Sequence, residues 1–297
     1  MAMKSFLVLG ILCWISAAAV ASEADAIKQL EAIGAKVPKS KDKKLLGIVE
    51  LDSDRVRDEH VKLLAEFKSL PFVIVGSDAK VTPGGLKPLA DVKGLLRIML
   101  RGKNASDEHV QSIATIKELV TVYIEKGEVT DDGAKSLAKL PKLTFLHLKG
   151  DKKIEGKTLG EFKNVKTLEG MLLDGTTITG DFFGQLKALP KLTSISANST
   201  PLNNAGLKEL AQLAQLQRLE LNRTAITDVG FAELKSIENL QELQIAGTKV
   251  SDASIPTLAG FKNLRHLAVS KDQFAKLDEL KKALPKCNVR IITPLEE

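Results

Sequence analysis

The sequence predicts a right-handed α/β solenoid, a horseshoe with a parallel sheet on its concave side and short helices on its convex side. Leucines recur every 24 or 25 residues through most of the chain. Each is followed by apolar residues three and five positions later, the period-two pattern of a strand with one buried face. Apolar residues three apart then follow and predict a short helix. The leucine landmarks are Leu46, Leu70, Leu95, Leu119, Leu143, Leu168, Leu192, Leu216, Leu240 and Leu264.

Residues 1–21 read as a secretory signal peptide that is cleaved after Ala21. One positive charge precedes a short apolar run over 6–15, and small residues follow it. The run is too short to span a bilayer, so we expect no integral membrane segment after cleavage. A lipoprotein reading would acylate Cys13, but Leu12 stands where such sites need a small residue. The mature chain is therefore expected to be secreted or periplasmic.

Residues 22–45 are predicted to form an N-terminal cap of one helix and one strand, because a repeat stack exposes its core unless its ends are covered. Apolar residues with helical spacing are followed by Gly34, which suits a helix end. Val37 is expected to pair beside the first repeat strand. The apolar helix positions are Ala26, Leu30 and Ile33.

Residues 46–270 are predicted to hold about ten repeats, and a polar turn follows each strand. The turn over 226–230 reads Ile-Thr-Asp-Val-Gly, and the hydroxyl and carboxylate side chains of such turns are expected to accept N–H groups of the helix that begins there. A threonine also recurs at one fixed point of four successive repeats. Its hydroxyl either bonds the turn backbone of a neighbouring repeat or is simply a polar turn group. These residues are Thr176, Thr200, Thr224 and Thr248.

The pattern L-x-x-L-x-L-x-x-T-x-I-T-D-x-G over 216–230 resembles a leucine-rich repeat, especially the 24-residue repeats of exported bacterial proteins of the planctomycete type. The segments 175–183 and 149–156 depart from this pattern, which puts loop shape in doubt there. The resemblance implies the horseshoe fold. Similar repeats also serve as substrate receptors of ubiquitin ligases, but no F-box-like helix bundle precedes these, and an export signal argues against that role.

Residues 271–297 are predicted to form a C-terminal cap with a closing helix and a last strand over 288–292. Cys287 lies between these elements and is interpreted as a buried small hydrophobe. With Cys13 removed, it has no intramolecular disulfide partner. The apolar positions of the closing helix are Phe274, Leu277, Leu280 and Leu284.

The sequence contains none of the nucleophile, zinc, phosphate-loop or dinucleotide motifs, so no enzymatic activity, metal or cofactor is predicted. His60 and His109 each follow Asp-Glu, but both sites are helix-start turns, where acidic residues have an electrostatic role. The net charge of +6 is scattered, and aromatic residues make up only 4% of the chain. Nucleic-acid binding is therefore not expected. Separately, the mature chain is expected to be a monomer.

Positions two, four and six after each leucine should project onto the concave surface. From the second to the sixth repeat they are apolar or aromatic with basic neighbours, whereas later ones are small and polar. Five of them should form a row roughly 20 Å long, the scale of a peptide. The residues predicted to bind a protein or peptide are Phe72, Ile74, Arg97, Met99, Arg101, Tyr123, Phe145, His147, Lys149 and Leu172.

Two alternatives stay open from the sequence. The apolar surface could be covered by the chain's own N-terminal segment, or merely be tolerated by the sheet. The protein could instead be a glycan-binding or enzyme-accessory envelope protein, with contacts in the loops around Lys103, Asn104 and Lys152.

Overall fold

The computed structural model describes residues 22–37 and 47–292. The predicted signal peptide with its cleavage site, the landmark Leu46 and the end of the predicted N-terminal cap lie outside the described residues.

The strands form one sheet in which each pairs, in parallel, with the next strand along the chain. This order confirms the predicted solenoid, because each repeat adds one strand beside the last. The strands are β1 (Ile48–Leu51), β2 (Phe72–Val75), β3 (Arg97–Arg101), β4 (Thr121–Glu125), β5 (Phe145–Lys149), β6 (Gly170–Leu172), β7 (Ser194–Ser196), β8 (Arg218–Glu220), β9 (Glu242–Gln244), β10 (His266–Val269) and β11 (Asn288–Ile291).

The register of the sheet keeps equivalent repeat positions side by side. Val49 pairs with Val73, and Ile98 pairs with Val122, so the third position after each landmark always faces the interior. These side chains are fully buried. Burial of one aliphatic side chain contributes about 1.5–3 kcal/mol, and the core extends this contribution from repeat to repeat.

The convex side carries short helices, as predicted, although many are single 3₁₀ turns. A repeat of about 24 residues leaves few residues for this side once its strand and two turns are made. The α-helices are α1 (Glu23–Ala32), α2 (Asp58–Lys62), α3 (Asp107–Ile113), α4 (Asp131–Lys135), α5 (Asn204–Leu210), α6 (Asp228–Phe231), α7 (Ile255–Ala259) and α8 (Leu277–Ala283). The 3₁₀ helices cover Leu63–Glu66, Gly84–Asp91, Gly102–Asn104, Ser136–Lys139, Leu159–Asn164, Phe183–Leu186, Ala232–Ser236 and Asp252–Ser254.

The aspartates of the polar turns link one repeat to the next, so the prediction that carboxylates cap their own helices is wrong. Hydroxyl capping does occur, since Ser251 Oγ accepts the Ala253 N–H at 3.3 Å. Asp107 accepts the Thr130 N–H at 2.8 Å and the Thr130 hydroxyl at 2.7 Å. The same carboxylate explains the glycine of the motif, since a Cβ on Gly133 would lie 2.0 Å from Asp107 Oδ1. Equivalent links to the next turn start from Asp58, Asp131, Asn204, Asp228 and Asp252.

The recurring threonines bond within their own turn, not with a neighbouring repeat. The Thr176 hydroxyl donates to the Leu173 carbonyl at 2.7 Å, three residues earlier. This bond closes the turn that follows the strand and satisfies a carbonyl oxygen in the interior. Thr200, Thr224 and Thr248 make the same contact in their repeats.

The two ends of the described solenoid differ in how they are covered. Helix α1 is followed by Gly34, which adopts a left-handed φ of 86°. Lys36, and not the expected Val37, then makes an isolated antiparallel bridge with Glu50. At the other end α8 is followed by β11, which extends the sheet in parallel. Among the described residues, no helix has the length and apolar character needed to cross a membrane.

Candidate binding face

The ten residues predicted to contact a partner all lie on β2–β6, and we call them the aromatic half-face. The sheet register brings five of them into one row across neighbouring strands. This places the row on the surface opposite the buried +3 and +5 positions. In order across the strands the row is Ile74, Met99, Tyr123, His147 and Leu172.

Aromatic rings join several of these residues into one continuous surface. The Tyr123 ring packs against the His147 ring in a tilted arrangement with centroids 4.2 Å apart, and it stacks with the Phe72 ring at 5.7 Å. The Phe145 ring is 6.5 Å from that of His147. Ring pairs at such separations attract each other, so these side chains form one continuous surface across β2, β4 and β5.

Exposure is uneven along the aromatic half-face. Tyr123 and Leu172 are half-buried, but Met99 is only 9% exposed and offers little contact area. The Phe145 ring lies over Gly170, where a Cβ would come within 2.8 Å of the ring. Glycine at this position therefore makes room for the ring, and Phe145 is half-buried like Tyr123.

Charged side chains flank the aromatic row on both sides. Arg101 forms ion pairs with Glu125 at 3.1 Å and with Glu50 at 3.7 Å. Arg97 and Lys149 are exposed and have no ion pair among the described residues. They lie at positions two and six, so one uncompensated cation borders each side of the row.

His147 lies within the row and is influenced by two acidic residues, Glu125 at the end of β4 and Asp174 just after β6. Burial lowers the pKa of its imidazole below the ordinary 6.5, and the charges of Glu125 and Asp174 oppose this change. Burial is the larger effect, so the ring is mainly neutral at neutral pH. A neutral imidazole packed against a phenol ring adds to the apolar character of the surface.

The other half of the concave face is polar, and its side chains bond to one another. Asp174 Oδ1 accepts the Asn198 N–H, Asn198 Oδ1 accepts the Asn222 N–H, and Asn222 Oδ1 accepts the Ala246 N–H, each at 2.8 Å. This amide ladder was not predicted. The repeated Asp or Asn at position six was its signal in the sequence.

Further bonds occupy the same polar half. Arg218 donates to both carboxylate oxygens of Glu242, at 2.7 and 3.1 Å. Ser196 donates to Asp174 at 2.5 Å, and the Asn222 amide donates to Gln244 at 2.9 Å. Since these groups already have partners within the chain, a ligand would have to replace existing bonds there.

The residues considered for metal binding have structural roles. His109 is 7% exposed, and its ring nitrogens lie 2.9 Å from Ser106 Oγ and 3.0 Å from the Val81 carbonyl oxygen. His60 Nδ1 accepts the Arg57 N–H at 2.9 Å. The described part of the chain contains no cluster of three or more His, Cys, Asp or Glu residues that could hold a metal ion.

The loops proposed for glycan contact, and the lone cysteine, have different environments. Asn104 is buried and donates to the carbonyls of Gly76 and Ala79 at 2.7 and 2.8 Å, so it stabilises the turn. Lys152, in contrast, lines an open cavity. Cys287 is half-buried, which raises the pKa of its thiol to about 11 and leaves it protonated and unreactive at neutral pH.

Comparison with solved structures agrees with the fold. Internalin C2 from Listeria monocytogenes matches with a TM-score of 0.51 and 21% identity, over 80% of this chain and 91% of that one. An internalin F from the same organism matches 92% of this chain and 95% of its own length, with a TM-score of 0.41 and 14% identity. No protein-family model matches the chain, and no curated protein matches its sequence. The first likeness supports the leucine-rich-repeat solenoid and shows the fold alone.

Proposed function

We propose that this protein is a non-catalytic, extracytoplasmic binding module that recognises a protein or peptide partner on the aromatic half-face and acts as a monomer. One observation carries the proposal. The aromatic half-face is a continuous and partly accessible surface of rings, whereas the polar half of the same sheet is engaged in bonds within the chain. Exposed apolar patches with a charged rim are typical of recognition sites, and Tyr and Arg are frequent anchors of interfaces.

The charges indicate what the partner should carry. Arg97 and Lys149 form no ion pair with a carboxylate of the described chain, and they lie on either side of the aromatic row. A partner segment with an aromatic or aliphatic side chain between two acidic residues would pack on Tyr123 and compensate both cations. Electrostatic matching of this kind mainly increases specificity and the association rate.

Selection from a displayed library of random peptides tests this site directly, with the mature protein as bait. We expect enrichment of peptides that combine an aromatic residue with acidic residues. Tyr123→Ala should weaken their binding at least about tenfold, as expected for an interface anchor. The matched control is Ser194→Ala, which changes the polar half of the same sheet and should leave affinity unchanged.

Charge reversal provides the second arm of the experiment. The double variant Arg97→Glu with Lys149→Glu should select basic peptides in place of acidic ones. Peptides that bind wild type and Tyr123→Ala equally, or that show no charge preference, would overturn the proposal. Competition by such a peptide against a natural envelope partner then links the site to the biological interaction.

Export of the protein is tested by an experiment that does not depend on partner binding. Residues 1–21 fused to a reporter enzyme that is active only outside the cytoplasm should give activity, and the mature protein should begin at Ser22. A reporter that stays inactive would contradict the extracytoplasmic location without affecting the binding proposal.

A second candidate function is glycan binding at the loops around Lys152. It is favoured by a cavity of about 460 Å³ that Lys152 lines, next to the two segments that depart from the repeat pattern. Binding of neutral and acidic oligosaccharides to the mature protein would distinguish this candidate from peptide recognition.

A further inference from the structure

Six exposed lysines stand in the turns that lead into six neighbouring strands, three or four residues before each of β2 to β7. They are scattered along the sequence at intervals of about 24 residues, but the fold brings them to one edge of the solenoid. We call them the lysine edge. They are Lys68, Lys93, Lys117, Lys142, Lys166 and Lys191.

Backbone hydrogen bonds hold neighbouring turns of this edge in contact. The Leu70 N–H donates to the Lys93 carbonyl at 2.9 Å, and the Thr144 N–H donates to the Val120 carbonyl at 2.8 Å. Neighbouring strands of a sheet lie about 4.8 Å apart, so the lysine edge extends over about 24 Å. The strand spacing is shorter than the Debye length of about 8 Å at physiological ionic strength, so neighbouring ammonium groups act together on a ligand.

Little negative charge compensates the lysine edge. Lys142 pairs with Glu118 at 2.5 Å, and the other five lysines have no ion pair within the described chain. Lys117 and Lys166 donate to backbone carbonyls, which leaves the positive charge of each in place. The row therefore keeps most of its charge available to a ligand.

The positive excess is confined to this narrow row. The 3₁₀ helices that precede β2, β3, β5, β6 and β7 lie beside it on the convex side, and their charges are balanced. The side towards the concave face holds mostly uncharged residues, such as Pro71, Leu96 and Thr144. The charged residues of the helices are Lys87, Lys139 and Lys163 with Glu66, Asp91 and Glu161.

The later repeats show which side chain the stacking of these turns requires. Gln215, Asn239 and Asn263 follow one another at the same repeat position, and each side-chain amide donates to a backbone carbonyl of the preceding repeat at 2.9 to 3.1 Å. Lys191 holds the position of Gln215 one repeat earlier, but its side chain makes no such bond within the described chain. The lysine is thus not part of the stacking contact that the amides make.

We propose that the lysine edge binds a linear acidic polysaccharide, whose anionic groups lie along the row of ammonium groups. A row one lysine wide fits a chain that carries one charge per unit, whereas a flat anionic membrane would also meet the carboxylates of the neighbouring helices. The turns that hold the lysines contain no aromatic residue on which nucleic-acid bases could stack. The choice of a polysaccharide also rests on the extracytoplasmic location proposed above.

Biolayer interferometry on the immobilised mature protein tests this site with defined polymers. The probes are polygalacturonate, which carries carboxylates, dextran sulfate, which carries sulfates, and neutral dextran of matched length. We expect at least one acidic polysaccharide to bind and the neutral one not to bind, and the acidic probe that binds identifies the anionic group. Its affinity should fall at least about tenfold between about 50 and 200 mM salt, because binding releases counterions.

Two triple variants locate the binding site. Lys93→Gln, Lys117→Gln and Lys191→Gln combined should weaken binding at least about tenfold, since each exposed ion pair contributes up to about fivefold. Glutamine is compatible with this turn, as Gln215 shows. The matched control removes the same charge from exposed lysines in the turns that follow strands, and it should change the affinity less than about twofold. The control changes are Lys80→Gln, Lys103→Gln and Lys153→Gln.

Four results would overturn the proposal. They are the failure of both acidic polysaccharides to bind, an affinity that does not depend on salt, losses in the control triple as large as in the lysine-edge triple, and equally tight binding of single-stranded DNA or phosphatidylglycerol vesicles. Tyr123→Ala should not affect polysaccharide binding, and the export reporter measures location separately. A failure of this proposal is therefore distinguishable from a failure of the proposed function.

Discussion

The two halves of the concave sheet are built on the same repeat but use their outward positions differently. On β2–β6 the central row is apolar and aromatic, and two of the flanking cations have no ion pair within the described chain. On β7–β10 the same positions hold amides, serines and paired charges that bond across the strands. The core behind both halves is equally buried.

This difference shows that a polar surface on such a sheet can be closed by hydrogen bonds within the chain. The amides of the polar half accept N–H groups of the next strand end, so they stabilise the stack. The rings of the aromatic half-face form fewer hydrogen bonds with neighbouring strands, and part of their surface stays accessible. The half with more hydrogen-bonding groups is thus the less suited to an external partner.

The largest effect is expected at Asp151, in the turn that follows β5. It stands at the turn position that threonine occupies in the later repeats, is fully buried, and its oxygens have no hydrogen-bond partner among the described residues. Burial raises the pKa of this carboxyl from 3.8 to about 6, and the nearby N–H groups of Gly127 and Val129 offset this only in part. The folded state therefore favours the protonated form.

Because the folded pKa of Asp151 is raised, the stability it contributes is present below pH 3.8 and is lost as the pH rises through about 6. Asp151→Asn should be more stable than wild type by about 3 kcal/mol at pH 7 and nearly equal to it at pH 4. Urea unfolding at both pH values measures the difference. A stability difference that does not change with pH would contradict this account. Asp151→Thr, which places the residue of the later repeats at this position, should remove the same pH dependence and so provides an independent check.

The next largest effect contrasts the two halves directly. Asn222→Ala leaves the Ala246 N–H without its acceptor and should lower the free energy of unfolding by about 1–3 kcal/mol. Lys149→Ala, at the same repeat position in the aromatic half-face, should change it by less than about 0.5 kcal/mol. Chemical denaturation of both variants gives the comparison. Equal losses would mean that the two halves stabilise the fold alike.

A smaller effect is expected for the cations of the aromatic half-face. Arg101→Ala removes partly exposed ion pairs to Glu50 and Glu125 and should cost at most about 1 kcal/mol. Arg97→Ala removes no ion pair within the described chain and should leave the thermal midpoint unchanged. Thermal unfolding at low and high salt measures both, and the Arg101 effect should shrink as salt screens the charges. A salt-independent loss would point to packing instead.

The smallest effect concerns His147. Since burial lowers its pKa in the folded state, its contribution to stability is present above pH 6.5 and is lost as the pH falls below that value. His147→Gln should remove this acid-side loss, because the amide does not titrate. Denaturation midpoints on either side of pH 6.5 provide the measurement. Identical pH profiles for variant and wild type would show that the imidazole titrates freely.

Much of the fold followed from local patterns. The landmark spacing placed every described repeat strand, and the alternation after each landmark placed the interior residues such as Val49 and Ile98. The row from Ile74 to Leu172 followed because parallel strands of equal repeats stay in register. The low exposure of Met99 was not predicted from the sequence, since exposure depends on the rings that neighbouring strands place beside it.

The hydrogen bonds between neighbouring repeats were also not predicted from the sequence. Asp107 reaches the turn of the next repeat, and Thr176 bonds within its own, the reverse of what the motif alone suggested. A motif records which residues recur but not which copy each side chain meets.

The sequence by itself determined the repeat, its period and the inward or outward direction of each strand residue, because these depend on spacing along the chain. Only the tertiary structure decided which outward groups are already bonded and which are open. That distinction depends on distances between residues about 24 positions apart, such as Asn198 and Asn222. The stacking of one repeat on the next sets these distances.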